Sequence, residues 1–132
     1  MTKILICGSR GCTEDVDQIG LWSEVANHFM NDDGLLTVEG IISGGARGAD
    51  KYAENFAKDV SLPIEVFKPD WKLHGKRAGY LRNITMLEQE GVDLVIALWD
   101  GESKGTKHTI DCALSRGIDL RVIFYKDWVT DD

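Results

Sequence analysis

Residues 41–50, Ile-Ile-Ser-Gly-Gly-Ala-Arg-Gly-Ala-Asp, have the pattern of a buried strand that ends in a glycine-rich turn and leads into a helix. Glycines let the backbone approach a ligand closely, and the first turn of a helix attracts anions. Arg47 adds a permanent positive charge to the turn. The stretch therefore predicts a phosphate-binding turn. The alternative is a tight turn whose glycines serve packing alone.

Apolar runs of strand length recur along the rest of the chain. They predict five strands, at 3–7, 37–42, 64–67, 92–98 and 120–124. Apolar residues at helical spacing predict the helices between them, over 16–30, 52–60 and 77–89, and a last helix that follows a polar turn at 103–106 and runs to about residue 116, with a loop at 70–76. This alternation is typical of a parallel sheet covered on both faces. We therefore expect an α/β protein with a Rossmann-like, doubly wound parallel sheet in the strand order 3-2-1-4-5.

The helical patterns also predict which side chains face the core. In the 77–89 helix we expect the core face to consist of Leu81, Ile84 and Leu87, and another side to carry Gly79, Asn83, Met86 and Glu90. In the last helix we expect three residues to point inward, namely Ile110, Ala113 and Leu114. The charged and proline-flanked run at 64–67 favours a position near the edge of the sheet.

The composition fits one globular domain spanning residues 1–132. No segment approaches the ~20 apolar residues that a membrane span needs, so we expect no membrane partner. The odd number of cysteines, read as reduced thiols, leads us to expect a cytoplasmic location. The formal net charge of −7 argues against a general nucleic-acid binder, although the run from Lys68 to Arg82 is locally basic. The three cysteines have no metal-ligand spacing, and His74 and His108 stand alone. We therefore expect reduced thiols and no metal site.

In the predicted sheet the strand order reverses between the first and fourth strands. Ligands in such sheets bind beyond the carboxyl ends of the strands at that reversal. The residues that follow the first strand are Gly8, Ser9 and Arg10, and residues 99–106 follow the fourth. The turn at 43–50 flanks both groups, so we expect one site at this edge.

The motifs at these strand ends resemble, in order and spacing, those of the YspA-type (cpYpsA-related) branch of the SLOG superfamily, which is named after the Smf/DprA and LOG proteins. The motifs that carry the resemblance are Gly8-Ser9-Arg10, Gly44–Asp50, Asp70-Trp71, Gly75–Gly79, Arg82-Asn83 with Met86, Ala97–Gly101 and Ser103–Thr106. The resemblance spans nearly the whole chain. It implies a Rossmann-like fold that binds nucleotides or nucleotide-derived ligands, and many such proteins occur in phages. Related members often dimerise, so a homodimer is a further expectation.

The strand ends and the resemblance together define a set of binding candidates. Glycine N–H groups would bind phosphate, arginines would balance its charge, and Thr106 would offer a hydroxyl. Asp50 or Asp100 would accept hydrogen bonds from ribose, and Trp71 or Trp99 would stack on a base. The full predicted set is Gly8, Ser9, Arg10, Ser43, Gly44, Gly45, Ala46, Arg47, Gly48, Asp50, Trp71, Arg82, Asn83, Trp99, Asp100, Ser103, Gly105 and Thr106. The alternatives are core packing for the tryptophans and a helix-dipole role for Asp50.

A catalytic role is less well supported by the motifs. LOG proteins of the same superfamily cleave the N-glycosidic bond of nucleoside monophosphates, with an arginine in Arg-Lys-x-x-Met and a glutamate in Pro-Gly-Gly-x-Gly-Thr-x-x-Glu. Residues 82–86 keep the arginine as Arg82, with Asn83 in place of lysine. Thr109 occupies the glutamate position, and threonine cannot act as a carboxylate base. If the protein is an enzyme, Arg82 and Asp100 are its catalytic candidates.

Three functions therefore remain open from the sequence. The first is a module that senses or sequesters an ADP-ribose-like ligand or a nucleoside monophosphate, with no obligatory cofactor. The second is a nucleotide N-glycosidase (phosphoribohydrolase). The third is a DprA-like, DNA-associated role, which the acidic charge disfavours. The first is preferred because the chain keeps the ligand-binding motifs and departs from the catalytic pair.

Overall fold

One parallel sheet forms the centre of the fold. The computed structural model describes residues 2–8, 27, 30, 32–33, 37–44 and 49–124. The strands are β1 (Lys3–Gly8), β2 (Gly40–Ser43), β3 (Ile64–Val66), β4 (Val92–Trp99) and β5 (Asp119–Phe124). All neighbouring strands pair in parallel, in the order β3-β2-β1-β4-β5. This confirms the predicted order and the reversal between β1 and β4.

The helices of the described residues connect these strands. They are α1 (Ala49–Asp59), α2 (Trp71–His74), α3 (Ala78–Leu87) and α4 (Lys104–Ser115), with a 3-10 turn at Gly75–Arg77 between α2 and α3. A helix that joins two parallel strands must run back across the sheet. The first turns of α1, α3 and α4 therefore lie at the edge where the strands end.

Alternate residues of the central strands face opposite sides of the sheet, as the pleat requires. Ile4 and Ile6 of β1 belong to an apolar cluster with Phe56 of α1. Leu5 of β1 belongs to a second cluster with Met86 of α3 and with residues of α4. The sheet is therefore covered by α1 on one face and by α3 and α4 on the other.

The structure corrects the prediction of a loop at 70–76. That segment forms α2 and the 3-10 turn, because Asp70 acts as an N-cap. Its Oδ1 accepts a hydrogen bond from the backbone N–H of Leu73 at 3.1 Å, and such a cap satisfies a donor that a helix start otherwise leaves unpaired. As a result α3 begins at Ala78 rather than at residue 77, and it ends at Leu87 rather than at residue 89.

The predicted core faces of two helices are confirmed at Leu87, Ile110 and Ala113, which are buried, and are wrong elsewhere. Asn83 and Met86 of α3 are buried, whereas Leu81 and Ile84 are half-buried. The reason is that α3 packs against α4 as well as against the sheet, so its buried arc is turned towards α4. Leu114 of α4 is 61% exposed because its neighbour Ala113 occupies the position facing the sheet.

Several boundaries differ from the predicted ones. β2 begins at Gly40 rather than at Thr37, because its pairing with β1 starts at Lys3 opposite Gly40. β3 lies at the edge of the sheet as predicted. The predicted helix at 16–30 falls outside the described residues, apart from Asn27 and Met30. Asn27 is helical, and Met30 forms an isolated bridge, so the helix does not extend to residue 30.

Candidate functional site

The candidate site lies along the carboxyl edge of the sheet, where β1 ends at Gly8, β2 at Ser43 and β4 at Trp99. The parallel pairing brings these ends together, as predicted. Six of the predicted binding residues and the side chain of a seventh lie outside the described residues: Ser9, Arg10, Gly45, Ala46, Arg47, Gly48 and Asp50. Their roles stay predictions.

Arg82 of α3 reaches the start of the glycine-rich turn. Its Nη1 donates to the carbonyl oxygen of Gly44 at 2.7 Å and to that of Phe67 at 3.3 Å. Hydrogen bonds from a charged donor are stronger than neutral ones, and the planar guanidinium can bond two carbonyls at once. Arg82 therefore holds the end of β2 and the segment after β3 against α3, and it places a permanent cation beside the turn.

Asn83, the next residue, reaches the other glycine-containing turn. Its Oδ1 accepts a hydrogen bond from Nε of Arg82 at 3.0 Å, and its Nδ2 donates to the carbonyl oxygen of Gly105 at 3.3 Å. Since β1 lies between β2 and β4, these two side chains span the width of β1. Adjacent residues of α3 thus connect Gly44, directly after β2, with the first turn of α4.

The turn between β4 and α4 is shaped by its own side chains. Oδ1 of Asp100 accepts hydrogen bonds from the backbone N–H groups of Glu102 and Ser103, both at 2.8 Å. Gly101, which lies between Asp100 and Glu102 in the chain, adopts a φ of +83°, a conformation that favours glycine. Ser103 caps α4, with its Oγ accepting from the N–H of Thr106 at 3.4 Å. The Asp100 carboxylate therefore has a structural role in this turn, beside the ribose and catalytic roles predicted for it.

Gly105 leaves open space in front of the first turn of α4. A Cβ atom added at this position would meet no atom within 4 Å. Packing within the described chain therefore does not require glycine here. A glycine that its own fold does not require fits a position where a ligand approaches the backbone.

The two candidate tryptophans differ in exposure. Trp71 is 53% exposed, and its ring lies over Gly79, where an added Cβ would be 3.7 Å away. Trp99 is half-buried, donates from Nε1 to the carbonyl oxygen of Ser103 at 3.1 Å, and has its ring centroid 5.6 Å from that of Phe124. The exposed ring of Trp71 favours stacking, whereas the contacts of Trp99 favour packing.

A pocket of about 130 Å³ adjoins Arg82 on the side towards β3. Its walls combine apolar, basic and polar side chains, namely Phe67, Lys68, Asp70, His74, Ala78, Leu81, Arg82 and Thr85. It is smaller than the roughly 300–1,000 Å³ of typical small-molecule sites. By itself it has room for one group of a larger ligand.

His108 is the functional candidate that the sequence reasoning missed. Its Nδ1 lies 3.3 Å from Nδ2 of Asn83, and its Nε2 lies 3.6 Å from Sγ of Cys112. Its ring is 4.4 Å from that of Tyr80 between centroids. Burial lowers the pKa of His108, and the carboxylate of Asp111 opposes this shift. The spacing of His108 and Cys112, four residues apart on a helix, was the available signal.

Thr109 stands where LOG proteins have their glutamate, and the structure places it inside. It is 1% exposed, and its Oγ1 donates to the carbonyl oxygen of Gly105 at 3.4 Å. The helix therefore offers no carboxylate at this position. Across the described residues, no group of three or more His, Cys, Asp or Glu side chains could hold a metal ion.

The fold and its glycine-containing turns define a Rossmann-like α/β protein with a candidate site at the carboxyl edge of the sheet. The chain belongs to the YAcAr family, described as the YspA, cpYpsA-related SLOG family, whose model matches residues 2–74. It is 36% identical to the Gene 61 protein of Mycobacterium phage D29 over 123 residues, covering 89% of this chain and 93% of that protein. Membership of the SLOG family confirms the resemblance and suggests a nucleotide-related role.

The fold also has a counterpart among solved structures. The X-ray structure of TM1055, a structural-genomics target, matches 98% of this chain and 81% of its own, with a TM-score of 0.60 and 14% identity. At this identity the match shows the shared fold. No helix in the described ranges is long and apolar enough to cross a membrane.

Proposed function

We propose that this protein binds a nucleotide or a nucleotide-derived ligand at the carboxyl edge of its sheet, as a sensor or sequestering module. The ligand is an ADP-ribose-like molecule or a nucleoside monophosphate. Its phosphate lies between the turn after β2 and the first turn of α4, and its base stacks on Trp71.

The observation that carries the proposal is the bridge formed by Arg82 and Asn83. It joins the Gly44 carbonyl to the Gly105 carbonyl and leaves a guanidinium between two glycine-containing turns. Backbone N–H groups at a helix start and a nearby arginine are a common means of binding phosphate. Membership of the SLOG family supports the same class of ligand.

Ligand binding is preferred over hydrolysis because the described residues place no carboxylate where LOG proteins have their catalytic glutamate. The position of the LOG glutamate is taken by the buried Thr109, and Asp100 accepts two backbone hydrogen bonds in its own turn. An N-glycosidase needs a carboxylate that is placed to stabilise the positive charge developing on the sugar. The described residues of α4 supply none at the Thr109 position.

Thermal unfolding against a ligand panel tests the proposal. The panel contains AMP, the other nucleoside monophosphates, ADP-ribose, cyclic ADP-ribose isomers and NAD. A ligand at 100 times its Kd stabilises the native state by about 2.7 kcal/mol, which raises the Tm of a domain of this size by several degrees. Mass spectrometry of the same samples shows whether the ligand stays intact. A shift with none of these compounds would contradict the proposal, and release of free base would replace binding with hydrolysis.

Gly105→Ala separates ligand binding from folding. Alanine fits the open space at Gly105 and is favoured over glycine in a helix by roughly 0.5–1 kcal/mol, so the ligand-free protein should become slightly more stable. The added methyl group stands where the ligand phosphate approaches, so the ligand-induced rise in Tm should shrink. An unchanged ligand response in this variant would remove Gly105 from the site.

Arg82→Ala provides the complementary test. It removes the cation and leaves the carbonyl of Gly44 without its 2.7 Å partner, so both stability and ligand binding should fall. Arg82→Lys keeps the charge but cannot bond Gly44, Phe67 and Asn83 together. If Arg82→Lys binds as well as the natural protein, charge alone accounts for the role of Arg82.

A further inference from the structure

The amide of Asn83 is buried and fully oriented by its partners. Asn83 lies on α3, and only 4% of its surface is exposed to solvent. Oδ1 accepts from Nε of Arg82, and Nδ2 faces the carbonyl oxygen of Gly105. An arginine nitrogen can only donate and a carbonyl can only accept. These two partners therefore fix which end of the amide is oxygen and which is nitrogen.

This orientation determines the proton positions on His108. The second N–H of the Asn83 amide points at Nδ1 of His108, 3.3 Å away, so Nδ1 must accept. A neutral imidazole with an acceptor at Nδ1 carries its proton on Nε2, which faces Sγ of Cys112 at 3.6 Å. A doubly protonated ring would place an N–H of His108 against the N–H of Asn83. The contact therefore exists only while His108 is neutral.

We infer that Asn83 is a positioning residue, which holds the turn after β2 and the first turn of α4 at a fixed separation, and that it does so only while His108 is neutral. This inference rests on the proposed function, because the separation of the two turns is what a bound phosphate would require. Asn83 itself does not contact the ligand. It acts through Arg82 on one side and the Gly105 carbonyl on the other.

The other groups around His108 set the direction of the pH effect. On α3 these are the ring of Tyr80 and, through the amide, the guanidinium of Arg82; on α4 they are Asp111 and Cys112. Burial lowers the pKa of His108 from its usual value of about 6.5, against the opposing effect of Asp111. In the folded protein His108 therefore binds a proton less readily than it does in the unfolded chain. The contribution of neutral His108 to the free energy of unfolding is present above about pH 6.5 and is lost as the pH falls through the folded pKa of His108.

The experiment compares the natural protein with His108→Gln at about pH 8 and about pH 5.5, with ADP-ribose as the probe. The two phosphates of ADP-ribose lack the ionisation near pH 6 that a phosphate monoester such as AMP undergoes, so the ligand itself does not titrate in this range. A glutamine oxygen can accept from Asn83 and does not titrate. We expect affinity to fall in the natural protein on acidification, by less than about tenfold because a pKa of His108 below 6.5 leaves about a tenth or more of the rings neutral at pH 5.5, and to change little in His108→Gln. An equal pH dependence in both proteins would overturn the inference.

Nuclear magnetic resonance of the ligand-free protein makes the test independent of ligand binding. Long-range proton–nitrogen correlations should show the proton of His108 on Nε2, and the amide signals of Gly44 and Gly105 should move as His108 titrates. Both movements should vanish in His108→Gln. If they occur but no panel compound binds, the positioning role stands and the proposed function fails. A proton on Nδ1, or amide signals indifferent to the titration, would refute the positioning role.

Asn83→Ala is the direct variant, with thermal unfolding as its folding control. Removing the amide leaves Nε of Arg82 and the Gly105 carbonyl without this partner, so ADP-ribose binding should weaken roughly tenfold and should lose its pH dependence. Retained pH dependence in Asn83→Ala would also overturn the inference. Should this variant fail to fold, the comparison with His108→Gln still decides the matter.

Discussion

The two faces of the sheet are built in different ways. On the α1 face the buried cluster is apolar, with Phe56 and Ala53 of α1 against Ile4 and Ile6 of β1. The α3–α4 face adds polar groups to its apolar cluster. Of the four buried polar side chains among the described residues, three lie on α3 and α4, namely Asn83, Thr106 and Thr109. The fourth, Ser43 at the end of β2, shares the strand face of Ile41, which belongs to the α1-face cluster. Apolar burial stabilises without directional demands, whereas a buried polar group costs free energy unless it is paired.

This difference assigns separate tasks to the two faces. The α1 face supplies stability by area, and many apolar sequences would serve there. The α3–α4 face contains hydrogen bonds that work only in one geometry, and they end at the two turns of the candidate site. Substitutions on the first face should therefore change stability alone. Substitutions on the second should change ligand binding by more than their effect on stability predicts.

The largest effect is expected from Phe56→Ala on the α1 face. Phe56 is 3% exposed, and truncating a buried phenylalanine costs about 3–5 kcal/mol. Urea unfolding should show a much lower midpoint with an unchanged slope. Well below the new Tm, the folded fraction should bind the ligand found in the panel with its original affinity. A specific loss of affinity would break the proposed division between the two faces.

An intermediate effect is expected from Ser103→Ala at the start of α4. Loss of an N-cap costs about 0.5–2 kcal/mol, and the cap lies in the candidate site. Ser103→Asp is the matched control, because aspartate also caps helices but places a negative charge beside the proposed phosphate site. We expect Ser103→Asp to keep the stability and to lose ligand binding. If it binds as well as the natural protein, no phosphate lies at this helix start.

The sequence predicted the sheet well because its signals are local and strong. Buried parallel strands are indicated by the apolar run of β4, which ends at Trp99, and by the glycine-rich sequence that follows β2. The same signals show at which end each strand leads into the next helix. Right-handed connections then leave few topologies. The helix at 71–77 was missed because it depends on one capping contact, the hydrogen bond that the N–H of Leu73 donates to the carboxylate of Asp70. A single capping contact of this kind does not change the spacing of the apolar residues, from which helices were predicted.

The site was predictable only as a set of strand ends. Arg82 and Gly105 were named from motifs, but nothing in the sequence shows that Arg82 bonds the Gly44 carbonyl or that Asn83 reaches α4. These contacts depend on the crossing of α3 and α4, which periodicity does not determine. For the same reason the burial of Asn83 was missed. From sequence alone a polar residue on a helix is predicted to be exposed, because its partners on another element are not known.

The smallest effect is expected from Lys107→Ala on the solvent side of α4. Lys107 and Asp111 form an ion pair at 2.9 Å, four residues apart, with both side chains more than half exposed. Such pairs contribute about 0.3–0.5 kcal/mol, and salt screens them. Chemical unfolding should detect at most this loss at low salt and none at about 1 M salt. Lys107 lies on the helix that Ser103 caps, but its ion pair with Asp111 is exposed. A loss of ligand binding in Lys107→Ala as large as that expected of Ser103→Asp would mean that α4 acts through its surface charge rather than through its buried network.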